Sequence, residues 1–345
     1  MVRRDHVRRS KEIQRRTGKT FHLATRVLPR RVRRATYVLY AFFRVADEIV
    51  DDADGATPAE QRRELERLRA AAFGRRDADN PVLSAFSEVR AEYGVRESDV
   101  NAFVDAMLSD VSTGRYETYE QLQSYMDGSA AAVGRMMTDI MDPGEEAEEL
   151  ARPHATALGE AFQMSNFLRD VREDIVELDR IYLPRETLER HGVSESQLRS
   201  FDCDESFRRA MREEMRRTER LYRKGVAGIE YLPEDCQFAV LLSAVLYADH
   251  HREIRRRDYD VLSETPSLST RRKLLLLAKT RLYWAVESDP VAVFRRVSAV
   301  PYPGEANGPR REHGPSDPGP TWSLAAPCVV GRRVTDWVRY LIRSE

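Results

Sequence analysis

Lysine is scarce in this chain of 345 residues: of its 56 basic residues only five are lysine, at positions 11, 19, 224, 273 and 279. Cysteine is scarcer still. Cys203, Cys236 and Cys328 show no metal-ligand spacing and no disulfide framework, so a reducing, cytoplasmic interior is expected. An excess of one charge is also missing. A formal net charge of −1 gives no global basic field, which argues against nucleic acid as a partner. No uncharged apolar run reaches 18 residues, so no membrane-spanning helix is expected. The first 16 residues carry six arginines and one lysine without an apolar stretch after them, unlike a secretory signal. They read as a solvated helix face or as a segment drawn to an anionic membrane surface. Alternating strand patterns, internal repeats and a Gly-x-Gly-x-x-Gly after a strand are all absent, which leaves an all-α class. With 41% hydrophobic residues the chain has enough for a large core, and its 33% charged residues give a heavily solvated surface.

What is present centres on the stretch Tyr37 to Asp52, YVLYAFFRVADEIVDD. On a helix with Tyr40 at zero, Arg44 falls at about +40°, Asp47 at about −20° and Asp51 at about +20°. Val38, Leu39, Phe42, Phe43, Val45, Ile49 and Val50 cover most of the remaining circumference, so the helix is expected to be buried around one polar row. Taken alone, the row reads equally as an Arg44–Asp47 ion pair with an exposed end. The pattern recurs, however. Gln163, Asn166, Asp170 and Asp174 fall at about 0°, −60°, −20° and +20° on a second helix. Two such helices face to face surround one cavity with four carboxylates, a set suited to Mg²⁺ or Mn²⁺ carrying a diphosphate.

Elsewhere the periodicity predicts amphipathic helices over 58–73, 81–93 and 98–111, assigned to the walls. Gly128 to Gly134 is a run of small residues, read either as close packing or as room for a bulky apolar ligand. One long helix is expected over 147–177, followed by a turn, Asp179 to Pro184, that carries Arg180 and Tyr182 back to the mouth of the site. Two more helices are expected at about 205–230 and 233–257, and a last core helix at about 268–287. In the second of these, Tyr247 faces either core or cavity, His250 and His251 point apart and make a poor metal pair, and Arg252 to Arg257 reads as a wet face.

The segments FHLATRVLPRRVRRATYVLYAFFRVADEIVDD, QMSNFLRDVREDI and DRIYLP, in this order, resemble the squalene/phytoene synthase family, and the resemblance spans about residues 10 to 287. It implies the isoprenoid synthase fold, a single helical domain (1–300) around a central apolar cavity. It also implies Mg²⁺-assisted head-to-head condensation of two prenyl diphosphates through a cyclopropyl diphosphate. Carried over by position, Asp47, Asp51, Asp170 and Asp174, with Asn166, match metal-binding residues. Gln163 and Asn166 match polar residues of the cavity, Arg44 a diphosphate contact, and Tyr40 and Tyr247 pocket tyrosines. Lys19, Thr20 and Phe21 fall in the N-terminal diphosphate-binding motif, with Thr20 where a serine is usual. Two further departures are Tyr125-Met126-Asp127 in place of a tyrosine-rich triplet, and Glu264 where an arginine is expected. Arg271 or Arg272 is the expected substitute for that arginine.

The match around Asp47 and Asp170 favours the phytoene branch, with two geranylgeranyl diphosphates as substrates. A squalene or dehydrosqualene synthase using farnesyl diphosphate, and a non-catalytic assembly factor, are the alternatives. No dinucleotide fingerprint is found, so NADPH is not expected. Residues 301 to 320 are half proline or glycine, and a linker is expected over 301–330. Within 331–345, Val334, Trp337, Val338, Leu341 and Ile342 make a short amphipathic row among arginines. That tail is read as a membrane-surface contact, as docking on the protein's own surface, or as no stable helix.

Overall fold

The computed structural model describes residue 10 and residues 24–51, 56–75 and 80–303. The expectations for Lys19, Thr20, Phe21 and the tail lie outside these residues. The described residues up to Tyr302 form one compact unit.

Helix α1 (Arg30–Asp51) buries Val38, Leu39 and Phe42, and Phe42 stacks on Phe86 at 3.8 Å between ring centroids. Three helices wrap it. These are α2 (Pro58–Ala72), opened by a Thr57–Glu60 capping box, α3 (Pro81–Tyr93), capped by Asn80 and ended by Gly94 in the left-handed conformation, and α4 (Glu97–Asp110). Helix α5 (Tyr119–Met126) runs through one π turn, Asp127–Ala131, into α6 (Ala132–Met141). The run of small residues does both things expected of it. A Cβ on Gly134 would sit 2.5 Å from the Ala155 carbonyl oxygen, and one on Gly128 would overlap the Ala102 carbonyl, so neighbouring backbones approach through these positions. Ser129, Ala130 and Val133 meanwhile line a cavity. Gly128→Ala is expected to cost about 1–3 kcal/mol, read as a lower denaturation midpoint with an unchanged slope.

The long acidic helix differs from its expectation. It forms as α7 (Glu145–Arg169) and α8 (Val171–Leu178), broken at Asp170, whose backbone sits at φ −100° and ψ 14°. The hydrogen bonds Asp170 N–H to Asn166 C=O and Asp174 N–H to Asp170 C=O, both 2.8 Å, bridge the break. Its physical reason is the ion pair between neighbours Arg169 and Asp170, which donate and accept in fork geometry. Adjacent residues do not face each other on a straight helix. Asp179 then ends α8 in the left-handed region, φ 52°, one that aspartate tolerates. Exposed pairs from Arg115 and Arg199 hold its carboxylate. The reversed chain is pinned by Ile181 N–H to Gly114 C=O at 2.9 Å, where Arg115 and Ile181 make an isolated bridge. No named strand forms among the described residues.

Two short helices not foreseen, α9 (Arg185–Arg190) and α10 (Glu195–Arg199), lead into α11 (Glu205–Ala227), which packs along α7. A 3₁₀ turn (Gly228–Tyr231) connects to α12 (Glu234–Arg256), and α13 (Thr270–Val286) lies against α12. The chain does not leave the core there. A further helix, α14 (Pro290–Val297), capped by Asp289 with proline in its first turn, buries Val293 and Phe294 completely. Nor is Arg252 to Arg257 wholly wet. Arg255 reaches inward to the buried Glu219 and to Ala299 C=O at 2.9 Å, while Ser165, Tyr222 and His251 complete a buried polar network behind it. The described residues form the expected all-α architecture.

Candidate active site

Eleven of the residues singled out from the sequence line one cavity of about 940 Å³. Helix α1 contributes Tyr40, Arg44, Asp47 and Asp51. Helix α7 gives Gln163 and Asn166, the break gives Asp170, and α8 gives Asp174. Tyr247 comes from α12, and the chain reversal after Asp179 delivers Arg180 and Tyr182. This polar cavity opens onto a second of about 380 Å³ whose deeper wall is apolar, including Leu158, Gly159, Phe162, Ile229, Leu232, Ala239 and Val240. Tyr40, Phe43, Arg44, Asp47, Gln163 and Asn166 border both. Phe162 and Tyr247 stack at 4.6 Å where the two cavities meet.

The electrostatics of the polar cavity follow from crowding of acids against limited cations. Arg44 lies 3.3 Å from Asp47 and 4.0 Å from Glu48. Even so, burial raises the Asp47 carboxyl to about 7, with Asp51, Asp110 and Glu48 adding repulsion. Its side chain is 33% exposed and lines this cavity. Burial and the neighbouring Asp170 and Glu173 raise Asp174 to about 8. Arg180 is buried, and its Nη1 donates to Asp51 Oδ1 at 3.0 Å while Nη2 donates to Asp110 C=O at 3.2 Å.

Four contributors were not foreseen. Arg169 lines the cavity, clamps Asp170 and donates toward His250 Nε2 at 3.4 Å, and the adjoining Asp170 in the motif was its only signal. His250 also bonds Tyr247 C=O through Nδ1 at 3.1 Å, and burial drops its pKa to about 3, so it stays neutral with a fixed tautomer. Asp110 accepts the Tyr125 hydroxyl at 2.7 Å, and burial raises its carboxyl to about 6. Phe167 stacks on Tyr182 at 3.9 Å, with Tyr116 and Tyr125 beside them. An aromatic wall is therefore present even though the tyrosine-rich triplet is reduced to one. Asp127, the third residue of that triplet, is turned outward and pairs with Arg135 at 2.8 Å.

The expected substitute for the missing arginine is not found at Arg271 or Arg272. Arg272 is held by Asp249 at 2.6 and 2.8 Å, Arg271 is exposed, and neither lines either cavity. Glu264 is exposed and pairs with Arg257. Arg169 supplies a guanidinium to the polar cavity instead.

Three observations bear on what this cavity receives. Buried Asp110 Oδ1 and Arg44 Nε have no hydrogen-bond partner, so polar groups await a polar ligand. The acidic donors are all oxygen, the choice of a hard divalent cation. Among the described residues no three His, Cys, Asp or Glu side chains converge enough to enclose an ion alone. A divalent cation in this cavity would need further oxygens beyond these side chains, such as those of substrate phosphates.

Residues 14–272 match the model of the family described as squalene/phytoene synthase. The chain is 33% identical over 297 residues to phytoene synthase of Rhodobacter capsulatus, covering 85% of this chain and 86% of that protein. It is 31% identical to 15-cis-phytoene synthase of Synechocystis, covering 75% and 80%. Among solved structures it is similar to a dehydrosqualene synthase in complex with ligand, with TM-score 0.74 and 26% identity over 82% of this chain and 98% of the other. Squalene synthase HpnC of Alicyclobacillus acidocaldarius gives TM-score 0.64 and 26% identity, covering 74% and 96%.

Proposed function

The chain belongs to the squalene/phytoene synthase family, prenyltransferase-type enzymes that use prenyl diphosphates and generally a divalent metal, and from that premise we propose that it is a 15-cis-phytoene synthase of carotenoid biosynthesis. It joins two geranylgeranyl diphosphates head to head through a cyclopropyl diphosphate. The observation that carries this reading is the junction of a carboxylate- and arginine-lined cavity with an apolar one, sharing Arg44, Asp47, Gln163 and Asn166 at the border. A diphosphate headgroup and a prenyl tail need those two environments end to end. The curated relatives named phytoene synthase supply the choice of branch.

In this reading Asp47, Asp51, Asn166, Asp170 and Asp174 hold Mg²⁺ or Mn²⁺, which when bound neutralises charge on the departing diphosphate. Arg44, Arg169 and Arg180 orient the same diphosphate by hydrogen bonding, and Lys19 and Thr20 are assigned to it by their motif, with Phe21 beside them. Ionisation leaves an allylic cation in the hydrocarbon tail. Phe43, Phe162, Tyr40 and Tyr247 line the cavity that takes the tail, where aromatic rings stabilise a cation and apolar walls limit its capture by water. The double bond of the second substrate then attacks that cation to form the new carbon–carbon bond, and loss of a proton from the resulting cation closes the cyclopropane ring. After a second ionisation and rearrangement, loss of a proton completes phytoene. No reductant takes part in this scheme.

The competing reading, farnesyl diphosphate as substrate and squalene or dehydrosqualene as product, draws on the structural neighbours. Product analysis separates the two. The purified chain is expected to make phytoene from geranylgeranyl diphosphate with Mg²⁺ or Mn²⁺, without NADPH, and to stop when metal is chelated. A strict NADPH requirement, or a C30 hydrocarbon as the preferred product, moves the assignment to the other branch. No turnover together with no Mg²⁺-dependent thermal stabilisation by a diphosphate analogue identifies a non-catalytic scaffold.

A further inference from the structure

Five large apolar side chains stand exposed among the described residues, and three of them belong to α13: Leu275 at 46%, Leu282 at 58% and Val286 at 82%. Their spacing puts them within about 40° of one another, in a row about 16 Å long. Arg271 and Lys279 are exposed on the same side, about 40° to either flank of Leu275. From Thr265 to Val286 there is no Asp or Glu, in a chain where acids number 57 against 56 bases. The other two exposed side chains have the opposite setting. Leu150 neighbours Glu146 and Glu149, and Val176 lies between Glu173 and Glu177.

The helix is firmly seated by its inner face. Leu276, Leu277 and Thr280 are buried, Arg272 is held by Asp249, and the Arg281 guanidinium lies 5.3 Å from the Phe238 ring centroid. The exposed row is therefore an outer surface of a packed helix. Beneath it, α12 carries Ala239, Val240 and Ser243 on the wall of the apolar cavity.

We propose that the outer face of α13 docks the protein on an anionic lipid surface, with Leu275, Leu282 and Val286 entering the headgroup–acyl boundary and Arg271 and Lys279 pairing with lipid phosphates. An apolar helical face edged by cations lies in the plane of such an interface, and each cation beside an anionic leaflet strengthens partitioning about fivefold. The half-buried Tyr283 lies about 80° from Leu275 around the helix, with a ring of the kind that prefers headgroup depth. A second copy of the chain fits this face poorly. A twofold contact through this face would bring two like-charged faces together, with no acid between Thr265 and Val286 to pair their cations. The docking face is separate from the reaction proposed above and stands whichever prenyl diphosphate is the substrate.

The test is co-sedimentation of the full chain with vesicles, either phosphatidylcholine alone or equal parts phosphatidylcholine and phosphatidylglycerol. Binding is expected only with phosphatidylglycerol and is expected to weaken with salt. Leu275→Ser/Leu282→Ser/Val286→Ser should weaken it at least about tenfold, and Arg271→Gln/Lys279→Gln should do so by about the same factor or more. Both variants should keep the melting temperature and the turnover measured in detergent. Three results overturn the proposal. One is no binding by the unaltered chain. The second is unchanged binding by the α13 variants, including the case where Trp337→Ser/Leu341→Ser in the tail abolishes it. The third is an oligomer in solution that the α13 variants dissociate.

Discussion

Asp47→Asn and Asp170→Asn are each expected to lower turnover on the order of a thousandfold or more, because each removes charge facing the departing diphosphate. Their effects on stability should have opposite signs. Burial and the repulsion of Asp51, Asp110 and Glu48 already hold the Asp47 carboxyl well above its ordinary range, so an amide there relieves an unfavourable charge. The melting temperature of metal-free Asp47→Asn should rise at alkaline pH. Asp170 is different because Arg169 clamps it, and the amide leaves that guanidinium, 24% exposed, without its carboxylate. Asp170→Asn should therefore melt lower. Single-turnover assays with Mg²⁺, alongside thermal denaturation without it, read both quantities. Turnover near that of the unaltered protein in both variants would falsify the assignment of these carboxylates to diphosphate ionisation.

The second large effect is on how stability depends on pH. Asp110, Asp47 and Asp174 are raised to about 6, about 7 and about 8 in the folded protein. Their unfolded values are near those of an ordinary aspartate, about 4. Between the unfolded and folded values the native state holds protons that the unfolded chain has released. The slope of unfolding free energy with pH is then negative, so these groups make the metal-free protein less stable as pH climbs from about 4 to about 8. An asparagine mimics the protonated acid and cannot lose the proton. The advantage of metal-free Asp174→Asn over the unaltered protein should be small at about pH 5 and grow to several degrees of melting temperature at about pH 9. A melting-temperature difference that stays constant across this range, or shrinks as pH rises, contradicts the burial and repulsion described for Asp174. Saturating Mg²⁺ with a diphosphate analogue should flatten the dependence, since cationic partners favour the charged carboxylates.

How far the sequence could be read follows from how each residue reaches the site. Tyr40, Arg44, Asp47 and Asp51 sit on one uninterrupted helix, so the angular arithmetic places them on one row, and all four line the polar cavity. The same arithmetic treats Asp170 and Asp174 as one stripe, yet they straddle a break made by an ion pair between sequence neighbours. Periodicity has no term for such a pair. Arg180 and Tyr182 arrive by a chain reversal, which the turn residues announced. Asp110 was passed over because its helix was assigned to the walls, although it follows Phe103 and Met107 at i+7 and i+3 on the face that lines the cavity. A lone acid closing an apolar row was the available signal. His250 gave no signal of its own, since its role comes from Arg169, eighty-one residues away in sequence. Helix α14 was announced only by Asp289-Pro290, an N-cap followed by a first-turn proline.

The clasp around Asp179 links the site to the solvent in a way that ionic strength can modulate. Arg115 and Arg199, each also paired with Glu195, gather on a carboxylate that is 71% exposed, and the chain reversal they hold is the one that returns Arg180 to Asp51. Each exposed pair contributes little by itself and is screened by salt. The contacts of Arg180 inside are buried and escape that screening. Added salt therefore loosens the outer end of this hairpin while leaving its inner end attached.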